Sequence, residues 1–165
     1  MAIPNPALII AGFVLAHAAW SVCDVRETLC PLAIVEKDGK RYLSRFEAAT
    51  EMEAIDKGKA AMAEATKTAD AWAFARENLM PEGGRKIDVF SVTFWCKGMD
   101  SPAVLIQRFE PFAKNGTFKL IGEPMVVIGG VEQKPEEVKE LLQVVRQGVS
   151  QHPKAGSLWD GWHLK

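Results

Sequence analysis

Charge of one sign is what this sequence most lacks. Its 20 Lys and Arg are interspersed with 21 Asp and Glu, for a formal net charge of −1. No basic run exceeds a pair, Lys40-Arg41 or Arg85-Lys86, so no field gathers phosphates and nucleic acid is not an expected ligand. Cysteine is also scarce. Cys23, Cys30 and Cys96 are odd in number and include no Cys-x-x-Cys, which excludes a disulfide framework and reads as small buried hydrophobes in a reducing cytoplasm. Catalytic signatures are missing too. The three histidines, His17, His152 and His163, accompany no Gly-x-Ser-x-Gly elbow, no phosphate loop and no Gly-x-Gly-x-x-Gly, so hydrolase, nucleotide and dinucleotide readings lose their usual support. His17, Cys23, Asp24 and Cys30 are zinc ligands by type, but their spacing matches no His/Cys cluster, and no metal or cofactor is implied.

What is present is the mix of a soluble globular protein, 48% hydrophobic and 25% charged over 165 residues. That length suits a single domain spanning 1–165. Pro6 to Cys23 carries no charge, and at ~1.5 Å rise per residue it approaches the thickness of a bilayer's hydrocarbon core. A signal peptide or membrane span would want a preceding Lys or Arg; none is there, and Asp24, Arg26 and Glu27 follow. The stretch therefore reads as a core helix capped by Asn5, with Pro6 at its first position. Export or anchoring through residues 6–23 is the alternative, and membrane association is not expected. A helix apolar nearly all round needs a sheet on one side and another helix or another subunit on the other.

Asp38-Gly39, flanked by 32–37 and 40–46, marks a hairpin with a type I′ turn, Val35 opposite Tyr42 and Ile34 opposite Leu43. Thr50-Glu51-Met52-Glu53 is a capping box opening a helix to about Thr66. Ala69–Arg76 alternates Trp72 and Phe74 with alanines and reads as a strand, followed by a loop from Leu79 to Gly84. Three further strands form a meander over Ile87–Lys97, Ala103–Phe112 and Phe118–Ile128, with Gly122-Glu123-Pro124 marking a bulge or an edge. Phe90, Val92, Phe94 and Cys96 share the core face, and Ile87, Val89 and Trp95 crowd the opposite one, which then needs a cover. Pro135 opens a last long helix that Gly148 and Pro153 stop. Residues 156–165 form an aromatic tail that must dock on its own core or on a partner.

The expected fold is α+β: an antiparallel sheet of five to six strands, hairpin plus meander, with helices packed against it in the order α-ββ-α-ββββ-α. That element order resembles the profilin-like and roadblock-type topologies, which implies a scaffold, and no motif residues are shared with either. The expected function is a non-catalytic interaction or regulatory module that self-associates as a homodimer or takes another protein as partner. Leu158, Trp159, Trp162 and Trp95 are its candidate contact residues. The alternative is a small-molecule binder or enzyme with a pocket between the first helix and the meander, lined by His17, Cys96 and Glu110.

Overall fold

A computed structural model describes residues 3–163. The chain runs α1 (Asn5–Val22), β1 (Leu32–Lys37), β2 (Lys40–Arg45), α2 (Glu51–Ala65), β3 (Ala71–Glu82), β4 (Arg85–Cys96), β5 (Ala103–Glu110), α3 (Phe112–Asn115), β6 (Lys119–Ile128), β7 (Val131–Glu132), α4 (Pro135–Ser150) and α5 (Trp159–Trp162). The strands make one seven-stranded sheet, antiparallel throughout, in the order β2-β1-β3-β4-β5-β6-β7. The class is α+β, as the pattern of elements implied.

Local chemistry sets the element boundaries. Asp38 and Gly39 both adopt positive φ, 53° and 77°, and place Val35 opposite Tyr42 and Ile34 opposite Leu43. Thr50 caps α2, its Oγ1 accepting from the Glu53 amide at 3.2 Å. Asn5 does not cap α1 but lies inside it, Pro4 holding the cap position without a side-chain bond. The expected loop after Ala69–Arg76 is also absent: β3 continues through Leu79–Glu82, and Gly83-Gly84 alone turns the chain, Glu82 facing Arg85. Pro81 is tolerated because β1 leaves β3 at Ala75, so beyond that point β3 pairs on one side only and needs fewer donors.

The helix α1 is the centre of the core. It lies on β3 and β4, where Ala71, Ala73 and Ala75 leave room for it, and α4 packs on its other side. The approach is close. A Cβ on Gly12 would strike the Val145 carbonyl, and one on Gly148 would strike the Ile9 carbonyl, so these glycines permit backbone-to-backbone crossing. Gly148 therefore does not stop α4, which runs on to Ser150. Burial on both sides accounts for the uncharged, all-round apolar sequence of α1. Leu8, Ile10, Val14 and Leu15 are fully buried, each contributing about 1.5–3 kcal/mol relative to exposure.

On the same side of the sheet, Phe90, Val92, Phe94 and Cys96 of β4 join Leu105 and Phe109 of β5 and Leu120 and Val126 of β6 in the core. The pairing of β5 with β6 slips between Ile106 and Arg108, opposite Gly122-Glu123-Pro124. Gln107 plugs the bulge. It is fully buried, and its Nε2 lies 2.9 Å from the Arg108 carbonyl, 3.1 Å from that of Gly122 and 3.2 Å from that of Ile121, so its two protons are shared among three carbonyls at the interrupted ladder, while its Oε1 has no partner among the described residues.

Candidate functional site

The second face of the sheet is only partly covered. α2 lies over β1 and β3, Gly58 abutting the Phe74 ring while Trp72 Nε1 donates to Thr66 Oγ1 at 2.8 Å. Beyond that footprint the strand register sets out rows of side chains: Ser91, Ile106 and Met125 in one, Thr93, Val104 and Val127 in the next. All six are half-buried. α2 borders these rows at Thr93 and α4 borders them at Met125. Charges of both signs border the patch, with Arg108 Nε paired to Glu82 at 2.6 Å and with Arg76, Glu110 and Glu132 in no ion pair among the described residues.

The described part of the aromatic tail, 156–163, docks on its own chain, on the opposite side of the sheet; Leu164 and Lys165 lie outside the described residues. Trp159 is 5% exposed, Trp162 meets Phe118 edge-on at 5.2 Å, and His163 bridges to Leu120 in parallel. Leu158, at 44%, stays exposed. Trp95 is buried as well, its Nε1 donating to the Met99 carbonyl at 2.9 Å and its ring stacked on Trp72. Two of the four residues expected to contact a partner, Trp159 and Trp95, are thus buried and Trp162 is half-buried, because Phe118 and Trp72 supply aromatic neighbours from the same chain.

The structure does not bring His17, Cys96 and Glu110 together. Cys96 lies at the buried end of β4, where burial raises its thiol pKa. Glu110 ends β5 on the same side as Ile106 and Arg108. His17 points toward α4's C-terminal end, where it meets His152. The ligand set weighed from sequence is dispersed likewise: Cys23 Sγ donates to the Trp20 carbonyl and Cys30 Sγ to that of Phe46. Among the described residues no three His, Cys, Asp or Glu side chains converge as a metal site would require.

Several grooves open at the surface, among them one of about 440 Å³ between α2 and the sheet, lined by Met62, Trp72, Phe74 and Thr93, and two others flank the meander. Between the end of α1 and the meander, Val22, Phe109, Glu77, Asp88 and Lys114 line a space of about 90 Å³. Burial first, and then the nearby Asp88 charge, raise the Glu77 pKa, against the opposing pull of the Leu29 amide that donates to it at 2.8 Å. Lys114 holds Asp88 at 2.8 Å. This volume fits roughly three waters and falls well short of the ~300 Å³ at which small-molecule pockets begin. The larger groove, about 840 Å³, runs along the bulged part of β6 and α4, with Pro124, Met125, Val138 and Leu142 as apolar lining and Arg108, Lys139 and Arg146 among its charges. Pro124 there lacks the N–H that a strand added to this edge would need.

One cluster had no sequence signal. His17 Nδ1 and His152 Nε2 lie 3.0 Å apart across 135 positions of chain, beneath Phe13 and Trp20. The amides of Lys154 and Ala155 both donate to His152 Nδ1, at 3.2 and 2.9 Å. Two donors on Nδ1 leave the ring proton on Nε2, which therefore donates to His17 Nδ1. His17 in turn carries its proton on Nε2, a buried atom with no partner. That tautomer removes His152 Nε2 as a metal ligand. Burial, the neighbouring His152 and Arg45 lower the His17 pKa from 6.5 to about 4, and burial lowers that of His152. No protein-family model, curated protein or solved structure matches this chain.

Proposed function

We propose that the protein is a non-catalytic interaction module that self-associates through the open half of its sheet, a second copy's sheet packing face to face over Val104, Ile106, Met125 and Val127. The observation that carries this reading is the pair of half-buried rows that α2 leaves uncovered. Apolar side chains in register on two adjacent strands present a ridged surface that packs against a like surface about 10 Å away. An isologous contact places each residue type opposite its own copy's complement, and charges of both signs at the border suit that arrangement. The near-zero net charge adds no repulsion between copies. Burial of α1 between the sheet and α4 supports its reading as a core helix, although it is also long and apolar enough to cross a membrane, and the three free thiols suit a reducing cytoplasm.

The small-molecule reading has one observation in its favour, the raised Glu77 pKa beside Asp88 at the α1–meander junction. The 90 Å³ space there is too small to make it the first choice. Replacing Ile106 by Lys tests the primary reading. The substitution puts a charge at the centre of the proposed contact while its stem reaches solvent in the monomer. Light scattering is expected to show a dimer for the parent and a monomer for Ile106→Lys at equal melting temperature; equal masses for the two proteins would refute this surface.

A further inference from the structure

We propose that His17 and His152 form an acid-sensitive latch: proton uptake by the pair releases the segment 153–163 from the body of the protein and uncovers Phe118 and Leu120. A chain of hydrogen bonds ties the imidazole pair to the tail. His152 organises the turn after α4 by accepting from the Lys154 and Ala155 amides at Nδ1 while its carbonyl accepts from Gly156 at 3.1 Å. Ala155, itself fully buried, then accepts at its carbonyl from Leu158 and Trp159, and Trp159 opens α5. An imidazolium has a proton on both nitrogens and accepts nothing. Protonated His152 would present Nδ1–H to two amide N–H groups, and protonated His17 would present Nδ1–H to Nε2–H of His152. Either proton breaks the chain at its root.

The surroundings give the cation little compensation. From β2, Arg45 contributes repulsion, while Arg41 lies over Phe13 and donates to Gln151. Lys154 belongs to the turn itself, and α1 contributes only uncharged residues. Of the acids near this end, Glu36 is held by Arg41 at 3.0 Å, while Asp24 and Glu27 share a groove with Trp20 and Arg45 and do not offset the lowering of the His17 pKa. Phe13 and Trp20 rings, 5.1 to 5.8 Å from the imidazoles, favour a cation modestly, but burial and, for His17, the neighbouring His152 and Arg45 outweigh them. The lowered pKa values place the transition below the ordinary imidazole range, toward about 4 for His17. Self-association through the open sheet face plays no part in this argument.

The test is a pH titration followed by amide and indole NMR signals. On lowering the pH from 7 to 4, the amides of Lys154, Ala155 and Trp159 and the Trp162 indole are expected to lose their native shifts together, while Val92 and Leu105 in the sheet keep theirs. His152→Asn keeps an acceptor near the Nδ1 position and does not titrate, so its tail signals should hold at acid pH; His17→Asn, which keeps the acceptor for His152 Nε2–H, should lower the midpoint. Sheet and tail signals lost at a single midpoint would overturn the latch. So would a parent-like tail transition in either Asn variant that folds at pH 7.

Discussion

The crossing of α1 and α4 depends on two missing side chains. Gly12 and Gly148 each face a carbonyl of the opposite helix, and neither backbone yields without displacing the core residues Val145 and Val149. Gly148→Ala should therefore destabilise by about 1–3 kcal/mol, the usual range for overpacking, despite the better helix propensity of alanine. Urea denaturation checks it, and a stabilised variant would show the crossing to be looser than described. At the same scale sequence was a poor guide. A glycine near a helix end ordinarily signals a stop, and only the partner helix, whose Ile9 carbonyl lies 139 positions earlier in the chain (148 − 9), shows why Gly148 sits within the helix. The imidazole pair was illegible for the same reason, since nothing near His17 in sequence points to His152.

Elements were legible where their determinants are local. The Asp38-Gly39 turn, the Thr50 cap and the alternation along β3 to β5 depend on neighbours within a few residues; the turn and cap are where the sequence places them, and the three strands begin within two residues of their expected starts. The length of β3 was hidden because Pro81 and two glycines resemble a loop until β1 is known to end opposite Ala75. The tail was half legible: aromatics at a terminus demanded a dock, but which surface was set by Phe118 and Leu120. Trp159→Ala should accordingly cost about 3–5 kcal/mol, as for a large aromatic removed from a core, whereas Leu158→Ala should stay within about 0.5 kcal/mol. Thermal or urea unfolding of the two variants separates them, and equal small effects would place Trp159 outside the core.

For the whole molecule, the two lowered histidines give acid sensitivity a definite sign. Unfolding restores His17 from about 4 to its ordinary 6.5, so between those values the unfolded chain binds more protons than the folded one. The contribution is full above pH 6.5 and is lost as pH falls toward 4. The urea midpoint should thus be lower at pH 5 than at pH 7 and the difference smaller in His17→Asn; an unchanged midpoint would mean that the pair titrates alike in both states. Fold class followed from the order of elements, yet the candidate site did not, because an uncovered face is a property of the finished packing. Alternating strands show only that both faces of the meander carry apolar residues. That α2 stops at β3 and that the tail chooses the other side are tertiary facts. Sedimentation equilibrium of the unmodified protein across a wide concentration range should show a reversible monomer–dimer equilibrium that Ile106→Lys abolishes; a monomer at every concentration would refute association through the sheet face.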